Sequence, residues 1–391
     1  MLPDFDLRLR AFAEVILRSG LNLQGGQRLL IAEPYELQGV DRNAEIIVEA
    51  LIKAAGCDVE IIWGDAGQLR QFALNKEWRG FVQQVGDNAR RMQDYIRNQD
   101  ALLFLQSSQP QLLEGVPAAH VTEMRRIAWE YYGPIAQQLV QGATNWTIAP
   151  APIPAWAHAA YLERPEAARF AALWEDVFAA MRVNEPVPLA AWKVHLALLQ
   201  HRRIELNARK LPTLRYKGEG TDLTVALPPE HTWCTAQLTT RTGLPFVANL
   251  PTEEIFTAPH RDSAEGTVRV SRPVSYGGSV IEGIELAFKR GRVVAASART
   301  GADLLQRILQ TDEGAGYLGE VAIVREQAQI ARTGRLFYHP LLDENAQSHV
   351  ALGEAYGFCL RRPNPAALNR SLVHVDLPLD ASIILPGMEP T

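Results

Sequence analysis

Four short apolar runs, separated by longer stretches with helical periodicity, occupy the first part of the chain. They are Gln27–Ala32, Val59–Trp63, Ala101–Gln106 and Trp146–Ala149. Runs that are apolar throughout are typical of strands buried on both faces, and the helical stretches are long enough to connect parallel neighbours. The pattern predicts an α/β fold with an open, mostly parallel sheet and helices on both faces.

The pattern changes near residue 210. A helical stretch over 163–210 ends before Pro212, and β-type alternation with glycine turns follows. A chain of 391 residues exceeds one ordinary core, which favours two domains. We expect an α/β scaffold domain over 1–210 and a β-rich α+β domain over 211–391 that carries the chemistry.

Composition excludes several classes of partner. The net charge is −5 and no basic stripe occurs, so neither nucleic acid nor an anionic membrane surface is expected as a partner. No stretch approaches the 18 or so uninterrupted apolar residues of a membrane span. The three cysteines are isolated, which argues against a disulfide framework or a structural zinc site. The charged, amphipathic N-terminus does not resemble a signal peptide, so a cytoplasmic location is expected.

Carboxylates and imidazoles are concentrated within or beside apolar segments of the last third, where an unpaired charge is costly. His374 and Asp376 lie in the alternating run SLVHVDL, which predicts a strand that presents both side chains on one face. This arrangement suits either a compact metal chelate or a structural ion pair.

Three glutamates have similar settings. Glu320 stands in an otherwise apolar run that predicts a strand, so its side chain faces either solvent or a buried ligand. Glu253 and Glu254 are adjacent, and in an extended chain they point to opposite sides. Only one of these two carboxylates can therefore reach a given metal ion.

The segment DENAQSHVALGEAYGF predicts a helix. His349 and Tyr356 would then share one helix face, with Gly353 between them leaving room for a ligand. Alternatively, Asp343 and Glu344 would only complement the helix dipole at its N-terminus. That alternative accounts well for Asp343, less well for Glu344, and leaves His349 unexplained.

The joint pattern is more informative than any one motif. Several carboxylates with two imidazoles and no thiolate suit divalent zinc, cobalt, manganese or magnesium, and disfavour structural zinc. A pair of such ions clamps a bridging water, lowers its pKa and polarises a carbonyl group. The residues therefore predict a binuclear metal site and a hydrolase.

Five segments resemble the thermophilic-type metallo-aminopeptidases, the aminopeptidase T family. They are NLPTEEIFTAPHR, VSYGGSVIEGIELAFKRGRV, TDEGAGYLGEVAIV, RLFYHPLLDENAQSHVALGEAYG and NRSLVHVD. The resemblance extends over essentially the whole chain. It implies cytoplasmic homodimeric exopeptidases, with an α/β N-terminal domain, that remove the N-terminal residue from unblocked peptides by means of two divalent metal ions, with zinc preferred.

The resemblance also implies roles for individual residues. Glu254 matches the bridging ligand, and Glu320 is then expected to accept the proton of the attacking water as well as to bind metal. Tyr356 matches a tyrosine whose hydroxyl would stabilise the oxyanion. The implied metal ligands are Glu254, Glu320, Glu344, His349, His374 and Asp376.

Two alternatives remain open at this point. A mononuclear Fe(II) ring-cleaving dioxygenase on a related scaffold would need only His349, His374 and Asp376. A single-iron oxygenase has no need of both Glu254 and Glu320, so this pair favours the peptidase. A non-catalytic protein on the same scaffold is the third interpretation, and the intact ligand set argues against it.

Overall fold

The computed structural model describes residues 2, 4–33, 39–276, 279–325, 327–362 and 364–384. The chain divides into two compact units, residues 1–196 with 236–252, and residues 197–235 with 253–391. The single boundary expected near residue 210 differs from this division in two places. Leu199 and Leu206 belong to the apolar core of the second unit, whereas Phe246 and Ala248 belong to that of the first.

The first unit contains a parallel sheet of four strands, in the spatial order β2-β1-β3-β4. These strands are β1 (Leu29–Ala32), β2 (Val59–Ile61), β3 (Ala101–Gln106) and β4 (Trp146–Pro150). Every residue of β1 and β3 is buried, as expected for central strands covered on both faces. The α/β character predicted for this half is confirmed, although β2 ends two residues before the predicted end at Trp63.

Ten α-helices are described, eight of them before residue 210. The first, over Phe5–Glu14, continues as a π-helical segment over Val15–Gly20. None of the described helices has the length and apolar character needed to cross a bilayer. The helices are α1 (Phe5–Glu14), α2 (Glu45–Ala55), α3 (Ala66–Asn75), α4 (Trp78–Arg97), α5 (Ala118–Val140), α6 (Pro154–Ala160), α7 (Glu166–Ala180), α8 (Pro188–Arg209), α9 (Ala302–Leu309) and α10 (Pro340–Glu344).

All remaining strands pair in antiparallel fashion. They are β5 (Thr213–Gly218), β6 (Thr221–Ala226), β7 (Gln237–Thr239), β8 (Pro245–Val247), β9 (Glu254–Thr257), β10 (Glu265–Arg269), β11 (Val274–Tyr276), β12 (Ser279–Ile281), β13 (Glu285–Lys289), β14 (Arg292–Ser297), β15 (Leu318–Val324), β16 (His349–Gly353), β17 (His374–Pro378) and β18 (Ala381–Ile384). The second unit has a six-stranded sheet in the order β14-β13-β10-β6-β5-β18 and a four-stranded sheet in the order β17-β16-β15-β9.

The four-stranded sheet has two unlike faces, because side chains alternate along each strand. One face contributes Ile255, Val321, Val350, Leu352 and Val375 to the main apolar core of the second unit. The other face carries most of the acidic and histidine residues singled out in the sequence. The β-rich second half is thus confirmed, and this sheet positions the candidate site.

Candidate metal centre

Strand register brings the candidate ligands together on one face of the four-stranded sheet. Glu320 lies opposite Ala351 on the neighbouring strand, and Ala351 lies opposite Asp376 on the next. Residues directly opposite each other in an antiparallel pair project to the same side. The short side chain of Ala351 therefore leaves open space between two carboxylates, and His349, two residues away on β16, faces the same space.

Each histidine presents its Nε2 atom to this space. The Nδ1 atom of His349 lies 3.1 Å from the carbonyl oxygen of Gln347, and that of His374 lies 3.0 Å from the carbonyl oxygen of Glu354. A hydrogen bond from Nδ1–H to a backbone carbonyl fixes the ring and leaves Nε2 as the donor atom for a metal. Both imidazoles are thus oriented as metal ligands usually are.

Among the residues that the structure describes, two groups of three could each hold a cation. Glu254, Glu320 and His349 form the first group, with ligand atoms that all lie within 4.8 Å of one another. Glu320, His374 and Asp376 form the second by the same criterion. Glu320 belongs to both groups. Its Oε1 lies 3.5 Å from Nε2 of His349 and its Oε2 lies 4.0 Å from Nε2 of His374.

The cluster holds more acid than its own bases can neutralise. Burial, reinforced by the charge of Glu320, raises the pKa of Glu254. Burial opposes the charge on His349, but the carboxylates of Glu320, Asp376 and Glu254 outweigh it and raise the pKa of His349 to about 10. Burial acts in the same way on His374, and its carboxylate neighbours, Asp376 foremost, raise its pKa to about 9.

Asp376 behaves differently from the other acids. Burial acts to raise its pKa, but the hydrogen bond and charge of His374, with the charge of His349, prevail and the pKa of Asp376 is lowered. In the metal-free chain the imidazoles therefore act as cations that partly offset the carboxylates. A divalent ion would replace those protons.

Glu344 lies beside the two groups and is a member of neither. Burial, followed by the negative charges of Glu254, Asp376 and Glu320, raises its pKa well above the usual range. Its Oε1 accepts a hydrogen bond of 3.2 Å from Nδ2 of Asn345. Glu344 thus shares the electrostatic environment of the cluster.

Tyr356 is packed at the edge of the site. Its ring centroid lies 5.4 Å from that of His374, and the ring stacks on Phe358 at 5.3 Å with an interplanar angle of 15°. This packing fixes the phenol ring of Tyr356 beside the candidate ligand His374.

The prediction of a single helix across DENAQSHVALGEAYGF is wrong. The helix α10 ends at Glu344, and His349 begins strand β16. Gly353 lies at the end of that strand with a φ of 101°, and a Cβ atom there would meet the carbonyl oxygen of Val373 at 2.0 Å. This glycine thus serves close strand packing, and the shared helix face inferred for His349 and Tyr356 does not exist.

Asp343 lies in the first turn of α10, where the dipole interpretation placed it, and it has a structural role there as well. Its two oxygens accept hydrogen bonds from the backbone N–H groups of Phe337 at 2.7 Å and His339 at 2.9 Å. Asp343 therefore closes the turn that leads into α10, so that the next residue, Glu344, faces the cluster. The alternation in SLVHVDL, by contrast, correctly predicted β17 with His374 and Asp376 on one face.

The donor set fits divalent metal ions. Glu254 is buried, and its Oε2 atom accepts no hydrogen bond from any residue that the structure describes, although it lies 3.4 Å from Nε2 of His349. Such an oxygen is costly in the absence of a cation. Oxygen and imidazole nitrogen donors without thiolate suit zinc, cobalt or manganese. Fold and site together define a candidate metal-dependent hydrolase.

Comparison with known proteins specifies the class further. A family model described as thermophilic metalloprotease (M29) matches residues 5–384. The chain is 38% identical over 381 residues to aminopeptidase T of Thermus thermophilus, and this alignment covers 96% of the chain and 93% of the relative. It is 33% identical over 383 residues to aminopeptidase AmpS of Bacillus subtilis, with coverage of 96% and 93%.

A solved structure agrees with these sequence matches. Wild-type AmpT from Thermus thermophilus superimposes with a TM-score of 0.87 at 35% identity, over 99% of this chain and 97% of that one. The chain belongs to the M29 family of thermophilic metalloproteases. The predicted family is confirmed, and membership in it favours the hydrolase over the dioxygenase alternative.

Proposed function

We propose that the protein is a metallo-aminopeptidase that releases the N-terminal residue from unblocked peptides. The observation that carries this proposal is the pair of three-residue groups that share Glu320. The names of the relatives, aminopeptidase T and aminopeptidase AmpS, support the choice of an exopeptidase reaction. The expected homodimer and cytoplasmic location stay predictions.

Glu254 and His349 would hold one divalent ion and His374 and Asp376 the other, with Glu320 between them. When bound, such a pair of ions polarises a scissile carbonyl and lowers the pKa of a water molecule. The resemblance assigned the bridge to Glu254, but the geometry supports Glu320, whose two oxygens face different histidines.

With Glu320 holding metal, the group that accepts the proton of the attacking water would lie outside the two three-residue groups. Glu344 is partly buried beside the two groups and belongs to neither, and burial together with the charges of Glu254, Asp376 and Glu320 raises its pKa. We propose Glu344 in this role in place of Glu320. Tyr356, fixed against His374 and Phe358, would donate from its hydroxyl to the developing oxyanion.

The test is hydrolysis of Leu-p-nitroanilide by the full chain before and after treatment with a chelator, and after reloading with zinc, cobalt or manganese. Acetyl-Leu-p-nitroanilide is the matched control, because it lacks the free amino group and should not be cleaved. Absence of activity across a panel of amino-acid p-nitroanilides after reloading would contradict the proposal. A content of one iron per chain, with no second metal, would instead support the dioxygenase.

A further inference from the structure

Asn345 links two acidic parts of the site through one buried side chain. It directly follows Glu344 and is fully buried. Its Oδ1 accepts a hydrogen bond of 2.6 Å from the backbone N–H of Glu253. Its Nδ2 donates to the carbonyl oxygen of Leu341 at 2.8 Å and to Oε1 of Glu344 at 3.2 Å. Both ends of the amide are therefore engaged.

These bonds reach the site from two directions. The bond to Glu253 holds the backbone immediately before Glu254, the first residue of β9. The bond to Glu344 holds a carboxylate that lies beside both three-residue groups. An amide has one acceptor oxygen and a donor NH₂ group, as these bonds require. An aspartate in its place would lose the donor and set another negative charge against Glu344.

We propose that Asn345 is a positioning residue that fixes Glu254 and Glu344 relative to each other for metal binding and catalysis. The inference rests on the proposed function, because it assigns Asn345 a purpose only if the acidic cluster binds metal. Outer-shell partners of this kind orient metal ligands, and their loss typically weakens metal affinity or activity about 10- to 100-fold.

A purely structural role is the competing explanation, since the bond to Leu341 also closes the end of α10. Asn207 on α8 provides a matched control. Its Oδ1 accepts from the backbone N–H of Trp233 at 2.9 Å, and its Nδ2 donates to the carbonyl oxygen of Arg203 at 2.9 Å. Asn207 thus makes the same two kinds of bond, one from a backbone N–H distant in sequence and one to the carbonyl four residues earlier, without touching a candidate ligand.

The experiment compares Asn345→Ala and Asn207→Ala in the full chain. Zinc affinity is measured by chelator competition on metal-stripped protein, thermal unfolding is measured without metal, and kcat is measured at saturating zinc. Both variants should lose thermal stability. Only Asn345→Ala should bind zinc about 10- to 100-fold more weakly and show a lower kcat, whereas Asn207→Ala should stay within about twofold of the parent in affinity.

A double-mutant cycle tests whether Asn345 affects catalysis by positioning Glu344. Asn345→Ala should lower kcat less in a Glu344→Gln background than in the parent, because part of its effect is already lost. If Asn345→Ala does not fold, Asn345→Ser is measured in the same way, since its hydroxyl is too short to hold both partners.

Zinc affinity in the Asn345 variant equal to that of the parent would overturn the inference alone. An equal loss in Asn207→Ala would also overturn it, because the effect would then follow from any lost buried hydrogen bond. A parent chain that binds no zinc, cobalt or manganese would overturn the proposed function and this inference together.

Discussion

The Nε2 atom of His349 lies 3.4 Å from Oε2 of Glu254, although 95 positions separate the two residues in sequence. The contact arises because strands β9 and β16 both pair with β15. Val324 lies opposite Glu254, and Ala322, two residues earlier on the same face, lies opposite His349. The register of a single central strand therefore assembles the first candidate ligand group.

Glu254→Gln should remove a charged ligand while keeping its size. We expect zinc affinity, measured by chelator competition, to fall by more than the roughly 10- to 100-fold typical of an outer-shell partner. Glu253→Gln is the matched control, because that adjacent buried carboxylate is expected to point away from the cluster. A similar loss in both variants would contradict the assignment of Glu254 as the ligand of this pair.

Glu344 and Asp343 are adjacent, but their substitution should affect different properties, catalysis for Glu344 and stability for Asp343. Glu344→Gln should lower kcat by roughly 10²- to 10⁴-fold, the range associated with general acid–base catalysis, and change zinc affinity little. Asp343→Ala leaves two backbone N–H groups without their acceptor, so unfolding should become easier by about 1–3 kcal/mol per unsatisfied group. Steady-state kinetics and denaturant unfolding separate the two effects. A large loss of zinc affinity in Glu344→Gln would make it a ligand rather than the proton acceptor.

Tyr356→Phe keeps the ring against His374 and Phe358 and removes only the hydroxyl. If that hydroxyl stabilises the oxyanion, kcat should fall by about 10²- to 10³-fold with zinc affinity unchanged. Tyr317→Phe provides the control, because its ring packs against the guanidinium of Arg261 and not against a candidate ligand. Unchanged kcat in Tyr356→Phe would rule out the oxyanion role.

Local patterns were sufficient to predict much of the fold. Continuous apolar runs predicted the buried parallel strands β1 and β3, and alternation predicted β17 with its two candidate ligands on one face. The segment HVALG was misassigned because all five of its residues are buried. A short, wholly buried run lacks the polar positions that distinguish a period of two from one of 3.6.

The sharing of Glu320 could not be predicted from local pattern. It depends on the register of β15 against β9 and β16, and on a register shift between Leu318 and Glu320. Long-range register is set by the packing of one face against the core, which a single sequence does not display. The types of the candidate ligands were therefore predictable, whereas the membership of Glu320 in both groups is seen only in the structure.

Ala351 separates Glu320 from Asp376, so filling its position should close the site. Ala351→Val adds two methyl groups to a fully buried position, and we expect a loss of about 1–3 kcal/mol in stability together with weaker zinc binding. Ala296→Val on β14 controls for the general effect of a β-branched residue in an antiparallel strand. Thermal unfolding measures the stability of both variants and chelator competition measures their zinc affinity, which only Ala351→Val should lower. Normal zinc affinity in Ala351→Val would show that metal does not occupy the space beside this residue.

In the metal-stripped chain, the stability of the folded state should fall as the pH rises. The folded-state pKa values of about 10 for His349 and about 9 for His374 exceed the ordinary value of about 6.5. Because the folded state holds these protons more tightly, their stabilising contribution is complete below pH 6.5 or so and is lost as the pH rises through about 9 and 10. The melting temperature of the metal-stripped chain should therefore decline from about pH 6.5 upward.

Zinc should reverse this trend, because the metal needs neutral imidazoles and displaces their protons. Melting curves at a series of pH values, with chelator and with saturating zinc, make the comparison, and calorimetry in two buffers of different ionisation enthalpy counts the protons released. The double variant His349→Ala with His374→Ala should show a flatter pH dependence without metal, which separates the cluster from general alkaline unfolding. A metal-free melting temperature that rises over this interval, or zinc binding without proton release, would contradict the assignment of protonated imidazoles to the metal-free site.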